Sequence, residues 1–91
     1  MNKQRRAILS KQVAELETLK SKLDDIKYEI ENVHDKEDDA YSNLPDGIQD
    51  SERGETMQEN IDSLDDAFSN LDDIISNIDD VIDSLNEVIE R

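Results

Sequence analysis

Apolar residues recur every seven positions over the second half of the chain, where four similar seven-residue segments follow one another between Asp62 and Ile89. In heptad notation the rows a, d and g contain, in that order, Ile61, Phe68, Ile75, Ile82 and Ile89; Leu64, Leu71, Ile78 and Leu85; and Asn60, Ala67, Ile74, Val81 and Val88. A sustained seven-residue period predicts a helix that packs on other helices. Three apolar rows are more than a two-helix seam needs, so we expect this helix to contact more than one neighbour.

The first part of the chain has the same period. Its apolar residues occupy rows a and d, which contain Leu9, Leu16, Leu23 and Ile30, and Leu19, Ile26 and Val33. We therefore predict one helix over residues 3–42 and a second over residues 55–90, joined by a turn over residues 43–54. The protein is expected to be all-α, with a single helical-hairpin domain over residues 1–91.

The predicted turn holds the only proline and both glycines of the chain. Pro45 disfavours helical backbone at the residue before it, and Asp46-Gly47 is a common turn pair. Asp50 or Ser51 can cap the helix that follows. Two helices of matched length around such a break predict an antiparallel two-helix coiled coil.

Charge supports the antiparallel arrangement. It brings Lys20 and Lys27, in row e of the first helix, beside row e of the second helix, which holds Asp65, Asp72 and Asp79. Exposed ion pairs add little stability individually, but they discriminate between one alignment and another. The sequence thus predicts the direction of the second helix and its register.

The composition indicates that one hairpin alone has too small a core. The chain has 91 residues, of which 34% are hydrophobic and 3% aromatic, and it has no cysteine that could reinforce the fold. Apolar residues beyond those of the seam occur in the halves of both helices remote from the turn. We predict that two hairpins associate there into a homodimeric four-helix bundle, through Ile8, Val13, Ile74, Val81 and Val88.

The net charge of −15 narrows the range of partners. A surface with 25 acidic and 10 basic residues repels nucleic acid and anionic membranes, so we expect direct binding to neither and favour a basic protein. No apolar run reaches the ~20 residues that a membrane span requires, and no signal-peptide core follows the basic start. With the absence of cysteine, these features predict a cytoplasmic protein.

Residues suited to catalysis or metal binding are scarce. His34 is the only histidine, and the chain has neither a cysteine nor a glycine-rich phosphate loop, so we predict no enzyme. Glu31 and His34 have the Glu-x-x-His spacing of di-iron bundles, but their heptad rows are expected to point away from the seam. The segment from Asp35 to Asp46 has Ala40 where a calcium loop requires glycine. We expect no metal and no cofactor.

Two function classes remain open. The first is a non-catalytic structural or protein-interaction module, whose turn offers a partner-binding tip formed by Gln49, Glu52 and Arg53. The second is a DNA mimic that inhibits a nucleic-acid-binding defence enzyme of a host, such as a restriction or CRISPR nuclease. The acidic doublets that would replace phosphates are Asp65, Asp66, Asp72, Asp73, Asp79 and Asp80. The simpler interpretation of these doublets is a solvated outer face.

Three stretches of the chain carry a resemblance to known proteins. They are Asn-Lys-Gln-Arg-Arg at residues 2–6, the Leu-Pro-x-x-Ile-Gln-x-Ser-Glu-Arg pattern at residues 44–53, and the Ile-Asp-x-Leu-Asp-Asp heptads. Together they are similar to small acidic coiled-coil proteins of phages and prophages of Gram-positive bacteria. The resemblance implies a phage origin and supplies no catalytic residues. This chain departs from it by using Asp, Ser and Asn where those proteins tend to carry Glu and Ala.

Overall fold

The computed structural model describes residues 1–91 and contains three helices and no strand. Helix α1 runs Lys3–Ser42, α2 is a single turn over Asp46–Gln49, and α3 runs Glu52–Glu90. The prediction of an all-α chain with two long helices is confirmed. No stretch of the three helices combines the length and the apolar character needed to span a bilayer.

Local sequence explains the two ends of α1. Asn2 is its N-cap, and the side-chain oxygen of Asn2 accepts a hydrogen bond of 2.8 Å from the backbone N–H of Arg5. The helix ends at Ser42, shortly before Pro45, whose ring disfavours helical backbone at the preceding residue. The first long helix therefore occupies the predicted residues.

Helices α1 and α3 lie side by side and run in opposite directions, in a rod of 69 × 15 × 14 Å. Two of the predicted ion pairs define their register. Lys20 Nζ lies 2.7 Å from Asp79 Oδ1, and Lys27 Nζ lies 2.5 Å from Asp72 Oδ1. Seven residues forward along α1 thus correspond to seven residues backward along α3. Row e of both helices consequently borders the same side of the seam.

The seam between α1 and α3 encloses a small core. Its buried apolar side chains, none of them completely inaccessible, are Val13, Ile61, Ile75 and Ile82. Rows a and d of α3 and row a of α1 supply half-buried residues around them. One hairpin therefore uses only part of the hydrophobic driving force that its apolar residues could supply.

Helix α1 packs on α3 with a different face from the one predicted. Rows a and e of α1 face the seam, whereas row d is exposed. The seam therefore excludes residues that the heptad assignment placed in it, namely Leu19, Ile26 and Val33. The reason is that α1 has three rows able to enter a seam, and one partner helix covers two. With row e inside, the aliphatic stems of Lys20 and Lys27 pack on α3 while their ammonium groups reach its carboxylates.

Short contacts hold the reversal between the long helices. The side-chain amide of Gln49 donates a hydrogen bond of 3.1 Å to the carbonyl oxygen of Tyr41, which ties α2 to the end of α1. Gly54, in the first turn of α3, is buried against the carbonyl oxygens of Ile48 and Gln49. Ser51 is the N-cap of α3, but its hydroxyl donates to the carbonyl of Ile48 and does not cap the helix. Helix α3 starts three residues earlier than predicted.

Candidate interaction surfaces

Six large aliphatic side chains lie about half-exposed on the two long helices, and five of them, all except Ile8, occupy row d of α1 and row g of α3. Their exposed fractions are 46% for Leu19, 49% for Ile26, 53% for Val33, 46% for Ile74 and 48% for Val81. We call these five residues the apolar face. Single exposed aliphatic side chains are common on protein surfaces, but a set at heptad spacing on two adjacent helices indicates a contact surface.

The apolar face lies on the side of the seam opposite the ion pairs. In α1, row d lies next to row a, on the side opposite row e. In α3, row g lies next to row d, again on the side opposite row e. Because the two e rows meet at the lysine–aspartate pairs, the exposed rows meet on the other side. The same register brings Leu19 across from Val81 and Ile26 across from Ile74.

Two polar rows border the apolar face. Along the outer edge of α1, a charged row alternates in sign every seven residues: Glu15, Lys22, Glu29 and Lys36. Along the outer edge of α3, the matching row is uncharged: Ser63, Asn70, Asn77 and Ser84. We call them the Glu/Lys row and the Ser/Asn row. All eight side chains are exposed, and no member of the Glu/Lys row makes an ion pair within the chain.

The opposite side of the hairpin is acidic and carries the interhelical ion pairs. Lys20 donates a hydrogen bond to Asp79, and Lys27 donates to Asp72 and to Glu31. These carboxylates stabilise the charged ammonium groups and raise the pKa of both lysines above the ordinary value of 10.5. Two of the six carboxylates considered for DNA mimicry are therefore engaged by lysine.

The other carboxylates of the acidic doublets have no basic partner. Asp66, Asp73 and Asp80 occupy row f, the row of α3 farthest from the seam, and are exposed. Asp65 is also exposed and makes no ion pair. Members of row f follow one another at ~10.5 Å along the helix. This row is the acidic surface that remains open to a basic partner.

The residues predicted to join two hairpins differ in their exposure to solvent. Ile8, Ile74 and Val81 are exposed, and Val88 is half-buried. Val13, in contrast, is 9% exposed and belongs to the core between α1 and α3. It is not accessible to a second hairpin. The row-d residues of α1 are accessible in its place.

The three residues of the predicted tip also differ in their surroundings. Gln49 is half-buried, and its amide is used by the hydrogen bond to Tyr41. Glu52 and Arg53 are exposed at the start of α3 and make no ion pair. Gln49 therefore has a structural role in the turn, which the sequence pattern did not indicate.

His34 lies in the seam and not away from it as predicted. Its ring packs edge-to-face on Phe68 with 5.2 Å between the ring centroids, and its Nδ1 lies 3.1 Å from Asp35 Oδ1. Glu31, the other member of the Glu-x-x-His pair, is bound by Lys27. Each member of the pair thus has a partner of its own. No three His, Asp or Glu side chains of the chain come together in a way that could hold a metal ion.

No protein-family model, no curated protein and no solved structure matches this chain. The assignment of a function therefore depends on the burial, the charge and the register of the two long helices.

Assigning rows a and d of α1 to the seam misses the apolar face, because rows a, d and e are all able to enter the seam. The residues of row e are the sequence signal for the correct pair, rows a and e. Lys20 and Lys27 were expected to reach carboxylates of α3, and residues that do so lie near the seam. A second signal is the Glu/Lys row, because its alternating charges flank row d. Charged borders of this kind are typical of the edge of a contact surface.

Proposed function

We propose that this chain is a non-catalytic protein-interaction module that associates with itself, with two hairpins packing through their apolar faces into a four-helix bundle. The observation that carries the proposal is the apolar face itself. A hairpin that buries four apolar side chains leaves five large aliphatic side chains about half-exposed along one side. A second copy of the same surface is the simplest partner that would cover them.

The size of the surface supports a stable association. Two rods 69 Å long and 15 Å wide that pack side on side along their length offer roughly 1,000 Å² per copy, which is sufficient for a specific interface. The apolar face is the central part of that side, ~21 Å long on α1. Removing ten half-exposed aliphatic side chains from water contributes on the order of 10 kcal/mol. That free energy is comparable to the cost of the translational and rotational freedom lost on association. The apolar area alone therefore does not specify the partner, and the polar borders must add specificity.

Sedimentation velocity or light scattering tests the proposal at tens of micromolar protein. The wild-type chain is expected to show twice its mass of 10.4 kDa. The double variant Ile74→Ser, Val81→Ser is expected to be monomeric and still helical. A matched control is Asp73→Ser, Asp80→Ser, which changes the adjacent positions on the far side of α3 and is expected to remain dimeric. A monomeric wild-type chain at these concentrations would overturn the proposal.

Mimicry of DNA is a second candidate function, favoured by the exposed row of Asp66, Asp73 and Asp80. This row runs along a rod 69 Å long and makes no ion pair within the chain. Its spacing of ~10.5 Å is much wider than the one charge per ~1.7 Å of duplex DNA. The engagement of Asp72 and Asp79 by lysines lowers the charge density further. Mimicry is therefore the weaker of the two proposals.

A pull-down from host lysate tests mimicry when bound proteins are challenged with duplex DNA or with matched salt. Release of a DNA-binding enzyme by DNA alone supports mimicry if the triple variant Asp66→Asn, Asp73→Asn, Asp80→Asn fails to capture that enzyme. Capture that is unchanged by this variant excludes the acidic row as the binding surface. The setting proposed for both functions is the cytoplasm of a bacterium that hosts a phage, because of the resemblance at the turn and heptads.

A further inference from the structure

The Glu/Lys row is complementary to a reversed copy of itself. When two such rows run antiparallel, Glu15 faces Lys36 of the second copy, and Lys22 faces Glu29 of the second copy. All four side chains are exposed and have no ion-pair partner within their own hairpin. Opposite charges in rows that flank an apolar seam specify the partner and its direction.

The Ser/Asn row has a matching property on the other edge of the apolar face. When two copies of this row run antiparallel, Ser63 faces Ser84 of the second copy and Asn70 faces Asn77 of the second copy. Helix α3 carries most of the acidic residues, yet this row has none, so two α3 helices can approach here without facing carboxylates. Each asparagine amide can both donate and accept a hydrogen bond across the contact.

The two rows also agree on where a two-fold axis would pass. The midpoint of the Glu/Lys row falls between Asp25 and Ile26, and the midpoint of the Ser/Asn row falls between Asp73 and Ile74. The register set by the lysine–aspartate pairs brings these two midpoints to the same level of the rod. Two rows on different helices therefore place a two-fold axis at the same level of the rod, beside Ile26 of α1 and Ile74 of α3.

We infer that two copies stack apolar face on apolar face in opposite directions, with the two-fold axis beside Ile26 and Ile74. This inference rests on the proposed self-association and specifies its geometry. Helix α1 then packs on α1 of the second copy, and α3 packs on α3. Leu19 lies opposite Val33 of the second copy, and four Glu–Lys pairs close the α1 edge.

The parallel arrangement of two hairpins does not use these features. In it, α1 would pack on α3 of the second copy, and the charged row would face the uncharged row. The alternation of Glu and Lys would then have no partner charges to recognise. Charge complementarity thus favours the antiparallel dimer.

Single-cysteine variants distinguish the two arrangements, because the chain has no cysteine of its own. With Ile26→Cys, the antiparallel dimer brings the two thiols together at the axis, and mild oxidation is expected to give a disulfide-linked dimer. The control is Tyr28→Cys, an exposed position that faces away from the apolar face and is expected to stay uncrosslinked. If both variants have dimeric mass and Ile26→Cys forms the disulfide no faster than Tyr28→Cys, the antiparallel geometry is overturned and the proposed function stands. A monomeric chain overturns both.

Charge reversal supplies a second test. The variant Lys22→Glu, Lys36→Glu and the variant Glu15→Lys, Glu29→Lys are each expected to raise the dissociation constant at least tenfold, while an equal mixture restores dimers. The second variant reduces the magnitude of the net charge, from −15 to −11, so general repulsion alone would tighten its dimer. Circular dichroism verifies that both variants are helical. Dimers of wild-type affinity from either variant alone overturn the inference.

Discussion

Gly54 has no room for a side chain, because a Cβ there would overlap the carbonyl oxygen of Gln49. A Cβ there would also overlap the carbonyl oxygen of Ile48, and both obstacles are backbone atoms that cannot rotate away. We expect Gly54→Ala to lower the free energy of unfolding by about 1–3 kcal/mol, because α2 must move away from α3. Urea denaturation followed by circular dichroism measures the change.

Gly47 provides the matched control for this prediction. It lies in the single turn of α2, has no heavy atom near a Cβ position and does not have positive φ. Gly47→Ala is therefore expected to stabilise the protein by about 0.5 kcal/mol, because it restricts the unfolded chain. Equal effects of the two substitutions would contradict the close approach at Gly54.

Adjacent isoleucines of α3 have different roles. Ile75 is buried in the seam, whereas Ile74 is 46% exposed on the apolar face. Ile75→Ala is expected to lower the free energy of unfolding by about 2 kcal/mol at every protein concentration. Ile74→Ala should destabilise only the associated protein, so its difference from wild type shrinks on dilution. Denaturation at two concentrations checks this, and a loss for Ile74→Ala that persists on dilution would argue against the exposed position.

The ion pairs of Lys20 and Lys27 give the stability an alkaline dependence. Because the folded-state pKa of each lysine exceeds 10.5, the stabilisation is fully present below that pH and is lost as the pH rises through the folded-state pKa. The melting temperature of wild type is expected to fall above about pH 10.5 more steeply than that of Lys20→Met, Lys27→Met. The control is Lys3→Met, Lys11→Met, at exposed positions that make no ion pair. Thermal unfolding at a series of pH values is the measurement, and parallel curves for wild type and Lys20→Met, Lys27→Met would contradict it.

Sequence alone predicts those features of this fold that depend on local spacing. The heptads give the two long helices, Pro45 marks the end of the first, and Lys20 and Lys27 identify the antiparallel register. These signals succeed because each depends on neighbours a few residues away or on one strong charge pattern.

The features that escape sequence analysis depend on competition in three dimensions. Row d and row e of α1 are both able to enter the seam, and only the fit against α3 decides between Leu19 and Val13. The sequence places Gly54 at the end of the predicted turn, but in the structure it is a helical residue packed against the backbone carbonyl of Gln49. Gln49 likewise reads as a surface residue until its hydrogen bond to Tyr41 is seen.

The two residues of the doublets Asp72-Asp73 and Asp79-Asp80 are expected to respond in opposite ways to loss of charge. Asp72 and Asp79 are bound by lysines, so Asp72→Asn, Asp79→Asn should lower the melting temperature. Asp73 and Asp80 have no basic partner, so Asp73→Asn, Asp80→Asn should raise it by relieving repulsion in a chain of net charge −15. Both variants change the charge equally and differ only in which side of α3 they alter. Thermal unfolding at low ionic strength and again at about 1 M salt tests this, since screening should shrink both shifts. Shifts of the same sign would mean that net charge, and not the interhelical pairs, governs the stability of this hairpin.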